Sequence, residues 1–167
     1  MKTRMLKPEP LTAAAFAPYG DVIECSDRAE KREINYGQSV CYHDLARLEL
    51  TADNGRPIVR IFQSKPLPLP ISIKVMERHP LSSQAFYPLS GEPYLVVVAR
   101  QGEFEEKNIR VFLAGPTQGV NYRPGTWHHF SLALNKVSSF LVIDRAGPEK
   151  NCDEVHLTGP ELLCIEL

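Results

Sequence analysis

No apolar run in this 167-residue chain approaches the ~18–20 residues that span a bilayer as a helix. YLVVVA (Tyr94–Ala99) has only the length of a buried strand. There is no dense Lys/Arg tract either: KNIRVF and RAEKR are short, lie among acids and read as solvated surface, and the formal net charge is -1. No nucleic-acid partner and no membrane partner are expected. Cysteine pairs are missing as well. Cys25, Cys41, Cys152 and Cys164 match neither CxxC nor zinc-finger spacing. Free thiols of this kind suit a cytoplasmic protein rather than a secreted one. Cys152, in the polar loop EKNCDE, reads as an exposed thiol rather than a nucleophile. Long helices have little room, because 14 prolines and 10 glycines are spread throughout. No repeat, low-complexity tract or composition break divides the chain, so one domain over 1–167 is expected. MKTRMLKPEPL starts basic with no apolar segment behind it and reads as a leading arm or first strand, not a secretory signal.

What is present is ordinary for a folded protein: 43% hydrophobic and 23% charged residues. TAAAFAPYG (Thr12–Gly20) predicts one or two helical turns, with Thr12 as cap and Gly20 as stop. YHDLARLEL and PELLCIEL are ambiguous between helix and strand. DVIE, PIVRIFQS, ISIKVMERH, QAFYPL, YLVVVAR, IRVFL, GVNY, HFSLAL and SSFLVID read as short strands bounded by Gly, Pro, Asn or Ser. Many short strands with irregular turns predict an all-β sandwich or barrel. RQGEFEEKN (Arg100–Asn108) is the best exposed connection. SKPLPLP (Ser64–Pro70) excludes a central strand and reads as a rigid lead-in to the next strand rather than a polyproline ligand.

Two stretches carry the chemistry. Side chains alternate along a strand. From Ile71, one face holds Ile71, Ile73, Val75, Glu77 and His79; Ser72, Lys74, Met76 and Arg78 hold the other. If the apolar face points inward, Glu77 and His79 do too, and a carboxylate and an imidazole buried alone would each be costly. They need a partner: each other, an arginine, a metal, a substrate or water. After the RPGT turn, His128 shares a face with Phe130, Leu132 and Leu134 and is expected in the same pocket. Each histidine alone reads equally well as a satisfied core residue; their convergence with Glu77 favours a site. Gln84 is placed to reach back as an amide partner.

The spacing Glu77-x-His79, Gln84, Gly91 is similar to the first motif of the cupin superfamily, and Gly125-Thr126-Trp127-His128 to the second. Glu77 stands where a histidine is expected and Gln84 where a glutamate is. More specifically, FAPYGDVIE, INYG, YHDLA, ERHPLSSQAFYPL, GVNYRPGTWHH, FLVIDR and NCDE, in order from Phe16 to Glu154, resemble the ureidoglycolate lyase family. The chain departs from it at Arg123, commonly His, and Ser82, commonly Gly. The resemblance implies a cupin-like antiparallel β-barrel of jelly-roll type with one or two short helices, a homodimer, and release of glyoxylate and urea from (S)-ureidoglycolate in allantoin and purine-nitrogen breakdown.

That substrate is a hemiaminal, and its elimination needs one base and one acid but no cofactor. Glu77 is the leading base, and His79 or His128 the acid. The same three residues form a candidate site for a divalent metal, nickel by the resemblance. Arg60, Arg123 and Arg145 are candidates for the substrate carboxylate, Gln84, Asn121 and Tyr122 for the urea amides, and Tyr36 for closing over the ligand. For Trp127, packing outside the site is the expectation. Two alternatives stay open: another cupin enzyme, such as a metal-dependent isomerase or oxygenase, and a non-catalytic barrel that binds a small acid.

Overall fold

Short, proline-bounded apolar segments give short strands. The computed structural model describes residues 2–167. In chain order these form β1 (Lys2–Leu6), β2 (Glu9–Pro10), the single helical turn α1 (Ala13–Phe16), β3 (Gly20–Ile23), β4 (Glu30–Ile34), β5 (Ser39–His43) and β6 (Arg56–Ser64). There follow β7 (Ile71–Ser72), β8 (Val75–Arg78), β9 (Gln84–Pro88), β10 (Tyr94–Ala99), β11 (Arg110–Ala114) and β12 (Gly119–Tyr122). Last come β13 (Trp127–His128), β14 (Leu132–Ala133), β15 (Ser138–Ala146), β16 (Asp153–His156) and β17 (Glu161–Ile165). The ambiguous PELLCIEL is thus a strand, and the residues after His43 run as irregular chain to the 3-10 turn at Ala52–Asn54. Thr12 caps α1, its Oγ1 accepting from the Ala15 N–H at 3.1 Å; Pro18 prevents a second turn. Among the described residues no helix is long and apolar enough to cross a membrane.

The strands form a five-stranded sheet, β3-β12-β9-β15-β6, and a seven-stranded sheet, β16-β8-β13-β10-β11-β2, with β14 also on β10. A three-stranded sheet, β1-β17-β7, and the β4-β5 hairpin complete the set. The expectation of an all-β, closed jelly-roll barrel is corrected here: no sheet closes on itself, and helical turns join the open sheets. Two ladders, β1 with β17 and β2 with β11, are parallel, unlike a purely antiparallel barrel. Closure requires continuous pairing around the ring with matched tilt and stagger. Here the rim strands β2 and β6 carry Pro10 and Pro57, which have no N–H to extend a ladder.

Two cores result. The first lies between the five- and seven-stranded sheets and holds Phe86, Val96, Val98, Phe112, Val120, Phe140 and Val142. The second covers the other face of the seven-stranded sheet, where Leu95, Val97, Val111 and Trp127 meet Ile71, Leu163 and Ile165. Because the seven-stranded sheet is buried on both faces, "inward" has two meanings for its strands.

That ambiguity matters for the two stretches singled out above. ISIKVMERH is not one strand: β7 pairs with β17, whereas β8 pairs with β16 and β13. Across the Ile73–Lys74 break the alternation reverses. Ile71, Ile73 and Met76 all enter the second core, so Glu77 points to the opposite side of the sheet from Ile71. The same happens after His128. His128 pairs with Val98 and Leu132 with Leu95. The first strand takes one more residue over this step than its partner, which is the geometry of a bulge. Leu132 therefore enters the second core, Phe130 is exposed and His128 faces the first core.

The reversal predicts that Met76→Ala costs about 2–5 kcal/mol, the usual range for emptying a core position, and Lys74→Ala no more than about 0.5 kcal/mol. Urea denaturation of both variants checks this. Equal, small effects would restore the unbroken alternation.

Candidate active site

One end of the first core is polar. Following Phe140 and Val142 on β15, the next inward residue is Asp144; Phe86 on β9 is followed inward by Gln84, and Phe62 on β6 by Arg60. Facing them, Val98, His128, Glu77 and Glu154 are successive cross-strand partners on β10, β13, β8 and β16. A cavity of about 450 Å³ opens between the two walls, with Ser82, Arg145, Asn151 and Cys152 closing its rim. Gly125, at φ +79, supplies the left-handed turn that delivers Trp127 and His128 to their strand.

Each polar group has a specific setting. His128 is only 1% exposed and stacks flat on Tyr122, with ring centroids 4.2 Å apart. Its Nδ1 lies 3.3 Å from the His129 carbonyl oxygen, which only accepts, so Nδ1 carries the hydrogen. Nε2 is buried and has no partner. Burial, then the neighbouring His79, pushes the His128 pKa down to about 3. The ring is therefore neutral, and its 3.8 Å approach to Glu77 Oε1 is a near contact rather than an ion pair. Burial raises the Glu77 carboxyl above its ordinary range; His79 opposes this, Glu154 adds to it, and the Cys152 thiol, 3.9 Å from Oε2, opposes it. Burial and Glu77 raise the Cys152 thiol in turn, so it stays a donor and not a nucleophile.

His79 lies 5.1 Å from His128, centroid to centroid. Its Nδ1 is 2.7 Å from the Asn151 carbonyl oxygen and its Nε2 is 3.2 Å from Gln84 Oε1. Gln84 is oriented by its other end, where Nε2 donates to Asp144 Oδ2 at 3.1 Å. Asp144 also accepts from Arg60 Nε at 3.1 Å. Both ring nitrogens of His79 thus face oxygens that only accept, and a ring carrying two hydrogens satisfies both.

A divalent ion is the alternative to that doubly protonated ring: His79 joins such a site only when its Nε2 has lost the hydrogen it offers Gln84. Glu77, His79 and His128 offer ligand atoms all within 4.8 Å of one another. Both imidazoles donate Nδ1–H to a backbone carbonyl, the outer support typical of metal-binding histidines. The unpartnered Nε2 of His128 is a lone pair kept free in a buried place. The donor set of two nitrogens and one carboxylate suits several first-row metals and does not choose among them.

The family model described as ureidoglycolate lyase matches residues 3–163. Proteins named ureidoglycolate lyase are 48% identical over 165 residues in Burkholderia mallei, covering 99% of this chain and 94% of that protein. In Brucella anthropi the identity is 51% over 154 residues, covering 92% and 90%. The chain belongs to the ureidoglycolate lyase family. A solved dTDP sugar isomerase from Desulfovibrio desulfuricans aligns over 86% of this chain and 88% of its own at 17% identity, with a TM-score of 0.45, too weak a likeness to inform the fold.

Of the residues expected at a ureidoglycolate lyase site, Glu77, His79, Gln84, Arg60 and Arg145 line the cavity, and His128 and Tyr122 support its floor. Arg145 has its Nε and Nη2 committed to the carbonyls of Ala52 and Asp53, each at 3.0 Å. Three residues are elsewhere. Asn121 lies on the opposite face of β12 from Tyr122 and donates to Asp21 and the Arg47 carbonyl. Arg123 is exposed and donates to the Ala17 carbonyl. Tyr36 is 106% exposed, at the turn of the β4-β5 hairpin. Trp127 packs in the second core, as expected of a residue outside the site. Two site residues had no role assigned from sequence. Asp144 was legible, since it continues the inward alternation of Phe140 and Val142. Asn151 was not: it reaches His79, Leu81 and Ser82 from about 70 positions further along the chain.

The His128 setting sets a pH dependence of stability. The unfolded ring takes up a proton near pH 6.5, whereas the folded ring does so only near pH 3. Between these values the unfolded chain binds more protons, so acidification favours unfolding. In chelator-treated protein, lowering the pH from 7 to 5 should remove roughly 2 kcal/mol through this residue. Glu77, with its raised carboxyl, acts in the opposite sense. Denaturant titrations of wild type and His128→Gln at both pH values check the difference, and an identical loss in the two proteins would contradict it.

Proposed function

We propose that the Glu77–His79–His128 cavity is where this member of the family eliminates urea from (S)-ureidoglycolate to leave glyoxylate. The observation that carries the reading is a half-buried carboxylate with a raised pKa, set against a histidine whose two nitrogens both face acceptors, inside one small polar cavity. Family membership supplies the substrate, since the relatives are named for it, and places the protein in allantoin and purine-nitrogen breakdown.

The chemistry follows from the substrate. One carbon bears a hydroxyl, a hydrogen, a carboxylate and the ureido nitrogen. Glu77 takes the hydroxyl proton, the oxygen forms the carbonyl, and the C–N bond breaks. His79 gives its Nε2 proton to the departing nitrogen, so urea leaves neutral. The net change moves one proton from oxygen to nitrogen, and exchange between Glu77 and His79 through solvent restores the start. Glu77 suits the base because burial brings its pKa toward working pH. His128 does not suit the acid, because it is already neutral. Arg60 takes the substrate carboxylate: Asp144 engages only its Nε, and its side chain is 46% exposed on the cavity wall. Arg145 shapes the rim instead. If the divalent ion is present, Glu77, His79 and His128 would hold it, and it would polarise the substrate hydroxyl; nickel is the ion that the family resemblance implies.

The rival reading of a non-catalytic acid-binding protein has less support, because simple binding does not call for a buried base with a raised pKa beside an imidazole acid. We also propose a homodimer built on the outer face of β6, where Val59 and Ile61 are 68% and 62% exposed on a rim strand. The four unpaired thiols suit a reducing, cytoplasmic setting.

Purified protein given racemic ureidoglycolate should release glyoxylate and urea in equal amounts, without ammonia. Glu77→Gln and His79→Gln should each lower kcat at least about 100-fold, the usual scale of lost acid–base help. Ammonia as the nitrogen product, or near-wild-type turnover in either variant, would overturn the mechanism. Chelation should abolish turnover and nickel restore it if the ion takes part; unchanged turnover after chelation removes the ion from the scheme.

A further inference from the structure

The SKPLPLP segment has no part in the reaction above. With Lys74–Val75 and His129–Phe130 it encloses a second cavity of about 320 Å³, at the small end of the range for small-molecule sites. No residue lines both this cavity and the Glu77 cavity. Leu67, Pro68, Pro70, Val75 and Phe130 give it apolar walls. The prolines make its outer wall stiff, so little order is lost when a ligand settles against it.

Its polar groups are few. The lysine ion pairs of the protein fall at Lys2, Lys7, Lys31, Lys107 and Lys136, and Lys74 makes none among the described residues. Ser72 also lines the cavity; its hydroxyl is sealed from solvent and has no hydrogen-bond partner. His129 donates from Nδ1 to the Phe130 carbonyl at 3.1 Å, and burial keeps its pKa low. No acidic side chain lines the cavity. An anionic head with an apolar chain matches this set, whereas a cation would meet Lys74 unopposed.

We propose that this cavity is a second ligand site that takes a short-chain carboxylate. Its carboxylate pairs with the exposed Lys74 ammonium, and its chain lies between the Leu67–Pro70 wall and Phe130. The site adjoins the reaction centre without sharing its residues, since Val75 precedes Glu77 by two positions and His129 follows His128.

The test is an NMR titration of ¹⁵N-labelled protein with hexanoate, hexanol and hexylammonium, which share one chain length. Hexanoate should give saturable shifts at Lys74, Val75, His129 and Phe130, with an affinity at least about tenfold above that of hexanol; hexylammonium should give none. Lys74→Glu should weaken hexanoate at least about tenfold, and Lys74→Arg should retain it. Both changes are at an exposed position, so the folded spectrum persists. Glu77→Gln, altered only in the other cavity, should bind hexanoate as wild type does. Equal affinity for hexanol and hexanoate, indifference to Lys74→Glu, or no saturable shift would overturn the proposal. Shifts at these residues that follow protein concentration instead of hexanoate would also overturn it, because a second copy would then cover the face.

Discussion

A carboxylate withdrawn from water beside two imidazoles is the constraint around which this end of the molecule is organised. Taking Glu77 out of solvent disfavours its charge, and Glu154 on the next strand makes that worse. What limits the cost is a shell of neighbours, each held by something else: His79 by the Asn151 carbonyl, Cys152 by its place next to Asn151, and His128 by the ring of Tyr122. Buried polar networks are favourable only when nearly every member is satisfied. Here the exceptions are informative. Among the described residues the buried unpartnered atoms are Ser72 Oγ, Asn121 Oδ1 and His128 Nε2, and the last lies in the ring nearest Glu77.

How much of this could be read beforehand depends on whether the deciding interaction was local. Most of the apolar strand segments were legible, because alternation and proline or glycine boundaries are local signals, and so was the Thr12 cap; the polar strands β4, β5 and β16 carry no such signal and were not read. The convergence of Glu77 with His128 was also expected, but by a route the structure does not follow. An unbroken alternation from Ile71 would put Glu77 on the face of Ile71, and the break at Ile73–Lys74 puts it on the other. The conclusion survived because the sheet is covered on both faces, so either side of β8 is interior. Barrel closure was not legible. It is decided by whether distant rim strands pair, and two of those rims carry prolines whose effect depends on which edge they reach.

The polar residues that sequence placed around the substrate divide along a physical line. Asn121 and Arg145 donate to backbone carbonyls of the irregular Arg47–Asp53 segment, which has no ladder to satisfy them. Their donors are used in holding chain, and the segment so held packs beside the cavity rim. Val120 and Tyr122 face the first core, so alternation alone would have turned Asn121 away. Nothing local marks Arg145 in this way; its role depends on the turn at Ala52–Asn54, about 90 residues earlier.

The division of labour proposed for Glu77 and His79 rests on the same hydrogen bonds. A carboxylate and an imidazole side by side could exchange roles freely if nothing distinguished their protons. Asp144 breaks the symmetry. By accepting from the Gln84 amide nitrogen it obliges Gln84 to turn its oxygen toward His79, and that oxygen asks for a hydrogen on Nε2. The Asn151 carbonyl asks for the other on Nδ1. Glu77 receives no comparable donor apart from the weak thiol of Cys152. The hydrogens at His79 are therefore set from β15 and the 148–152 loop, through Asp144, Gln84 and Asn151, rather than from the strand that carries Glu77.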